Sequence, residues 1–317
     1  MIEGGVKIGE ARIGLRSTNS ELFRPDRFFW MDTNFQSVET IPFDEARDSR
    51  VDIFDGPQKE GMTVDKDILI LHGDFSRWEK ETNDRRHSLF GNLGIFSSWV
   101  LRTLEEKHGI FTLHACALEK KSRLLIIVGG AGSGKSVFLL SALKKGWSLF
   151  STEFVHFSLK RNLNFFKGSI KDAVRVDTLN NHFSGFARDP DIAPREEKGG
   201  KMVVDLAAFQ TVRNHLESPD VFLVFPHVEN KWDKVVWEDI KSRENLLREL
   251  FLNVSEKLGK SLLLYGRMPV PGIDTFELGR KRFHTIELLL DSGRIKRALR
   301  WISGVGDAAE LFEIIKK

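Results

Sequence analysis

Residues 129 to 136 read Gly-Gly-Ala-Gly-Ser-Gly-Lys-Ser, a complete G-x-x-x-x-G-K-S run. The chemistry open to that spacing is the grip of a phosphate chain. Gly129, Gly130, Ala131, Gly132, Ser133 and Gly134 make a backbone free to turn sharply and lay successive N–H groups on phosphate oxygens. A helix starting there adds the partial positive charge of its N-terminus, with Ser136 and Val137 in its first turn. The Lys135 ammonium reaches the β- and γ-phosphates, and the Ser136 hydroxyl is placed to ligate Mg2+. The expected ligands are therefore ATP and Mg2+.

Such a loop must be held between a strand and a helix, and the flanking residues supply both. Leu124, Leu125, Ile126, Ile127 and Val128 form a continuous apolar run that predicts a buried strand leading in. Residues 135–145 predict a helix leading out, with Gly146 as its stop. Upstream, residues 110–118 alternate with period two and predict another strand. The link between the two strands, Glu119-Lys120-Lys121-Ser122, is so short that they must be antiparallel neighbours. Most phosphate-loop nucleotidases bring the loop strand in from a helical crossover, so a hairpin in this position narrows the choice.

The same reading extends along the chain. Residues 92–107 predict a helix with Leu93, Phe96, Val100 and Leu104 on one stripe and Gly109 as its cap. Beyond Gly146, a strand begins over residues 147–150. A hairpin is expected over 154–159 and 163–166, turning at Lys160-Arg161-Asn162. Further strands are expected at 202–206, 221–225, 262–265 and 285–289, a long helix over 235–258 and a terminal helix over 307–317. Residues 185–201 are rich in Pro, Gly and charge and read as a long loop. Residues 1–90 read as a β-rich N-terminal segment or small domain, with 44–55 as a solvated loop. Residues 91–317 read as the domain that carries the phosphate loop. The fold class expected is α/β with a mixed sheet.

Bulk composition excludes several alternatives. The chain has 317 residues, 41% hydrophobic and 29% charged, which suits a globular protein of one or two domains. A net charge of +3, with no interleaving of basic and aromatic residues, argues against nucleic acid as a partner. No apolar run approaches the ~18 residues a membrane helix needs, so no membrane partner is expected. The N-terminus lacks the apolar stretch of a secretory signal, and the single cysteine, Cys116, suits a reducing compartment, so a cytoplasmic location is expected. Cys116 alternates with His114 and Leu118 and reads as a packed strand residue rather than a nucleophile. No His/Cys cluster has zinc spacing.

From Thr112 to Phe157 the chain reads TLHACALEKKSRLLIIVGGAGSGKSVFLLSALKKGWSLFSTEFVHF. This resembles the catalytic core of the HPr kinase/phosphorylase family, which is similar around its nucleotide to phosphoenolpyruvate carboxykinase. The family pattern is a His-small pair on a strand, a hairpin, the phosphate loop, a helix, a Gly, and an apolar strand ending in two acids. The matching residues are His114-Ala115, Gly129 to Ser136, Gly146 and Thr152-Glu153. The upstream stretch GNLGIFSSWVLRTLEEKHGIFTLHACAL also resembles HPr kinase-related proteins that lack the family's N-terminal domain. Family members commonly carry two aspartates where this chain has Thr152 and Glu153. The glycine-rich signature used for phosphorolysis is not recognisable. The resemblance therefore implies a phosphate-loop core of this type and kinase chemistry, without implying HPr as substrate or the reverse reaction.

On that resemblance Glu153 is the candidate metal carboxylate or general base, and His114 the residue that orients it or tunes its acidity; Thr152 is their neighbour. Ser136 and Glu153 are the expected metal ligands. Asp205, closing Met202-Val203-Val204-Asp205, ranks behind Glu153, and Asp172 and Asp177 are two further carboxylates between which the sequence does not choose. Arg188, Arg195, Lys198 and Lys201 are the candidates for a cationic lid. Residues 227–231 are a candidate acceptor-side loop. The function expected is an ATP- and Mg2+-dependent kinase that transfers the γ-phosphoryl group to a hydroxyl of a small metabolite or of a protein or peptide serine. A homo-oligomer is a further expectation. An ATP-binding regulator and an NTPase without group transfer stand as the alternatives.

Overall fold

Alternating apolar and polar residues make the N-terminal strands. The strand β1 (Ile2–Ile8) turns through Gly9, at φ 58°, into β2 (Ala11–Ser17). With β3 (Glu39–Ile41), β4 (Ser49–Asp55), β5 (Gly61–Asp65) and β6 (Ile68–Gly73) they form a sheet of order β3-β1-β2-β4-β6-β5. Here β2, β4 and β6 run parallel, and the outer pairs are antiparallel. The helices α1 (Phe75–Glu81) and α2 (Ile95–Thr103) follow, the latter continued by a π-helical turn over Leu104–His108 that ends at Gly109 in the left-handed region. The computed structural model describes residues 1–57, 59–188, 197–198, 200–229, 232 and 234–315, of which 25, 26, 29, 30, 187, 188, 197 and 198 are described by their backbone.

The chain divides into two compact units. The first comprises Met1–Phe111 with Ser255–Gly279, and the second Thr112–Val254 with Arg280–Lys317. The first unit thus takes in residues 91–111, which the sequence grouped with the phosphate loop. The second unit holds a sheet that begins with the hairpin of β7 (Phe111–Lys120) and β8 (Arg123–Val128), turned by Lys121 and Ser122 at φ 51° and 63°. Positive φ at both turn residues matches the right-handed twist of the strands. The helix α3 (Lys135–Lys144) leaves the loop, and β9 (Ser148–Ser151) and β10 (Phe154–Ser158) follow it. Gly146 N–H reaches Leu143 O at 3.0 Å and Trp147 N–H reaches Ala142 O at 3.1 Å. That pair of bonds ends α3 and swings the chain into β9.

The remaining strands are β11 (Asn164–Phe166), β12 (Lys171–Arg175), β13 (Glu197–Lys198), β14 (Lys201–Asp205), β15 (His215–Glu217), β16 (Asp220–Val228) and β17 (Val236–Asp239). The short helices α4 (Val176–His182) and α5 (Ser184–Arg188) sit between β12 and β13 in the chain. Next come α6 (Arg243–Gly259), the hairpin β18 (Leu262–Leu264) and β19 (Met268–Val270), α7 (Phe276–Asp291), β20 (Ile295–Ser303) and α8 (Leu311–Ile314). Among the described residues the large sheet runs β15-β11-β10-β7-β8-β16-β20-β17, with β9 pairing to β7. It is mixed: β8, β16 and β20 are parallel, while β7 is antiparallel to β8 and β9, and β17 to β20. The chain is a mixed α/β protein.

One apolar core backs the loop. Cys116, Leu118, Leu125 and Ile127 from the hairpin pack with Phe138, Leu139 and Leu143 of α3 and with Val224, Leu299 and Trp301. Each such fully buried side chain contributes on the order of 1.5–3 kcal/mol, so loop strand and loop helix are anchored to one slab.

Three expectations are corrected. Residues 285–289 are helical, because Leu278, Arg282, Thr285, Ile286 and Leu289 are buried at helical spacing. The apolar run alone suggested a strand; the longer window decides. The helix expected from residue 235 begins at Arg243, where Ser242 Oγ accepts Asn245 N–H at 3.1 Å, and the residues before it form β17. The supposed solvated loop over 44–55 contains β4, in which Val51 and Ile53 are buried and Asp52 is ion-paired to Arg50 at 2.8 Å. Of the long loop over 185–201, residues 189–196 and 199 lie outside the described residues. No helix among the described residues is long and apolar enough to cross a membrane.

Candidate functional site

The loop has the backbone that its glycines allow. Gly132 and Gly134 stand at φ 86° and 99°, which L side chains rarely adopt. A Cβ on Gly134 would also run into the Val228 side chain at the end of β16, and one on Gly129 would lie 2.6 Å from Ser133 Oγ. α3 starts at Lys135 with Gly134 as an N-cap that offers no side-chain acceptor, so its first N–H groups face the loop's concave side uncapped. Val137 takes a different place: its N–H is bonded to Gly134 O at 2.9 Å and its side chain lies in the core.

Lys135 is buried and folded back over the loop. Its Nζ donates to Gly129 O at 2.9 Å and Gly130 O at 3.3 Å, lies 3.2 Å from His114 Nε2, and pairs with Glu153 Oε2 at 3.7 Å. His114, in β7, is 2% exposed and its Nε2 meets Glu153 Oε1 at 2.7 Å. Glu153 occupies the turn between β9 and β10, and its side chain is 27% exposed. The carboxylate is thus gripped from behind by a buried imidazole and open in front. The main chain fixes this pairing: Ala115 N–H bonds to Glu153 O at 3.0 Å, and Gly129 N–H bonds to His114 O at 3.2 Å.

The structure separates the two remaining aspartates. Asp177 is exposed in the first turn of α4, while Asp172 is buried in β12 and accepts the Ser136 hydroxyl. Burial, reinforced by the negative charge of Glu153, pushes the Asp172 carboxyl up to about 6 against the opposing pull of Ser136, Lys135 and Lys201. Its Oδ2 is buried with no partner. Alternation along Lys171-Asp172-Ala173-Val174 places Asp172 inward with Val174, and that was the available signal.

Thr152 explains how Asp172 arrives. It is 1% exposed, and its hydroxyl donates to Lys171 O at 2.7 Å and Ser169 O at 3.1 Å. The residue beside Glu153 therefore pins the strand start that carries Asp172.

Other candidates fall elsewhere. Asp205 accepts Ala207 N–H at 3.0 Å and faces Lys171 in the small sheet of β12, β14 and β13. Lys201 lies in β14 within the electrostatic reach of Asp172. Arg195 lies outside the described residues, as do residues 230 and 231; Arg188 and Lys198 are described by backbone alone. His227, in β16, and Glu229 pair at 2.8 Å on the surface, on either side of Val228 in the chain. Cys116 is fully buried, and burial raises its thiol well above the ordinary range, so it is not a ready nucleophile.

The residues fit a nucleotide with its metal. Ser133 Oγ and Asp172 Oδ2 are buried polar atoms without a protein partner, both at the loop. Leaving such atoms unpaired costs about 1–3 kcal/mol each, which a bound phosphate chain and cation would recover. Among the described residues no three His, Cys, Asp or Glu side chains form a self-sufficient metal nest. A hydroxyl, one or two carboxylates and phosphate oxygens suffice for Mg2+, which keeps several waters.

No protein-family model matches this chain, and no curated protein does. Among solved structures, the HPr(Ser) kinase/phosphatase from Coxiella burnetii is similar at 13% identity and a TM-score of 0.27, over 65% of this chain and 93% of that one. A score that low leaves the chemistry to rest on the chain's own residues.

Proposed function

We propose that this protein is a phosphotransferase that moves the γ-phosphoryl group of ATP to a hydroxyl acceptor, on a core of the HPr kinase and phosphoenolpyruvate carboxykinase type. The observation that carries the reading is the His114–Glu153 contact at 2.7 Å beside Lys135 of a complete phosphate loop.

Phosphoryl transfer asks a protein for positioning and charge more than for covalent chemistry. The backbone from Gly129 to Gly134 and the start of α3 hold the β- and γ-phosphates. Lys135, released from the Gly129 and Gly130 carbonyls, places its charge on the transferring group. Glu153 accepts the proton of the acceptor hydroxyl as its oxygen bonds to the γ-phosphorus. The bond from that phosphorus to the bridging oxygen breaks, and its electron pair leaves with ADP. His114 holds Glu153 in position from its buried side. Ser136 and Asp172 are the residues that would hold Mg2+, which when bound neutralises charge on the phosphate oxygens. The roles then divide: Asp172 serves the metal, and Glu153 serves the acceptor.

The test is incubation with γ-labelled ATP, Mg2+ and a panel of hydroxylated metabolites and serine peptides. Label on an acceptor, lost in Lys135→Ala, is the expected result. Tight ATP binding without transfer would make the protein a sensor, and acceptor-independent phosphate release at an appreciable rate would make it an NTPase.

A further inference from the structure

We propose that Asn253 is the positioning residue of the His114–Glu153 pair, an inference that rests on the phosphotransferase reading for its catalytic consequence and on geometry alone for its structural one. Asn253 lies in α6, far from the loop in sequence. Its Oδ1 accepts the His114 N–H at 2.9 Å, and its Nδ2 donates to the His114 carbonyl at 3.0 Å. A single side-chain amide thus makes both bonds that a neighbouring strand would make to one residue.

The place of this contact gives it meaning. On the side of β7 that these bonds face, the paired register with β8 ends at Ala115 opposite Val128, one residue short of His114. The His114 peptide would otherwise end the ladder at the residue whose imidazole must hold Glu153. The His114 carbonyl also accepts Gly129 N–H at 3.2 Å, so its two lone pairs serve α6 and the phosphate loop together. α6 itself is anchored by Leu246, Leu250, Val254 and Leu258, all buried at helical spacing. Asn253 therefore transmits a fixed helix position to the backbone of residue 114, and from there to Nε2. A buried imidazole displaced by about 1 Å would leave Glu153 misaimed, and misplacement on that scale costs roughly 100-fold in rate.

The experiment compares wild type with Asn253→Ala and Asn253→Asp. In Asn253→Asp the carboxylate still accepts the His114 N–H and loses the donor to the carbonyl. Three readouts are taken: imidazole resonances of 15N-histidine-labelled protein without nucleotide, binding of a fluorescent ATP analogue with Mg2+, and phosphate release from MgATP with water as acceptor. Asn253→Ala should shift the His114 imidazole resonances and leave those of His215 and His227 in place. Phosphate release should fall roughly 10- to 100-fold, as when the support of an active group is removed, with nucleotide affinity held within a few-fold. Asn253→Asp should lie between the two. His114 resonances unmoved in both variants, or turnover and affinity falling together with all histidines shifted, would overturn the proposal. A wild type that binds no nucleotide analogue would count against the phosphotransferase reading, while the imidazole shift still decides Asn253.

Discussion

His114 Nε2 lies 2.7 Å from Glu153 Oε1, the imidazole sealed in the protein and the carboxylate partly open. A base needs one face held and one face free, and this pair divides those requirements between two residues. Glu153→Gln keeps a partner for His114 and removes the proposed base. Turnover should fall about 100- to 10,000-fold, the usual share of general-base catalysis, with nucleotide affinity little changed. The measurement is transfer rate beside binding of a fluorescent ATP analogue. Unchanged turnover would take the role away from Glu153.

Lys135 is held by the Gly129 and Gly130 carbonyls and by Glu153. In the proposed reaction it exchanges those partners for phosphate oxygens. Lys135→Ala should cost roughly 100- to 1,000-fold in turnover, the scale seen when one charge-stabilising donor is lost, and should weaken nucleotide binding too. Full activity would refute the site.

Asp172 accepts the Ser136 hydroxyl and is buried beside Glu153. Asp172→Asn should abolish the Mg2+ dependence of nucleotide binding. It should also melt higher than wild type at pH 8 in chelator, because it removes a buried charge. A shift of the carboxyl to about 6 from a reference near 4 corresponds to a gain on the order of 2–3 kcal/mol. Calorimetry with and without Mg2+ checks both; equal Mg2+ response in the two proteins would move the metal elsewhere.

His156 pairs through Nδ1 with Thr112 Oγ1 at 2.8 Å, and burial lowers its pKa to about 4. Unfolded, it titrates near 6.5. The folded state thus favours the neutral ring, so its stabilising contribution is complete above about pH 6.5 and is lost as pH falls through about 4. Between pH 7 and pH 4.5 wild type should lose on the order of 2–3 kcal/mol that His156→Gln keeps, read from urea midpoints. Parallel pH profiles for the two proteins would contradict this.

Gly134 stands at φ 99° with Val228 against its α-carbon. Gly134→Ala should weaken nucleotide binding more than tenfold, from strain and clash together. Adding Val228→Ala should restore part of the loss, because it removes the clash and leaves the backbone strain. No restoration would mean that β16 does not buttress the loop.

Much of this was legible in residue order. The apolar run into Gly129, the glycines at Gly132 and Gly134, the two-residue turn at Lys121–Ser122 and the stop at Gly146 are local events, set by sterics and hydrogen bonds within a few residues. The errors came where a local signal was overridden from a distance. Residues 285–289 looked like a strand until the burial of Leu278 and Arg282 extended the helical period, and Asp52 looked solvated until Arg50 and the strands on either side of β4 enclosed it.

Residue order alone determined that a G-x-x-x-x-G-K-S loop sits between a hairpin strand and a helix, since that motif is contiguous and its backbone demands are local. Tertiary structure alone decided which carboxylate meets Ser136, what Thr152 does, and that Asn253 holds His114. The physical reason is that these contacts join strands and helices distant in the chain, and their partners are chosen by how the elements pack around one core rather than by any spacing a single sequence displays.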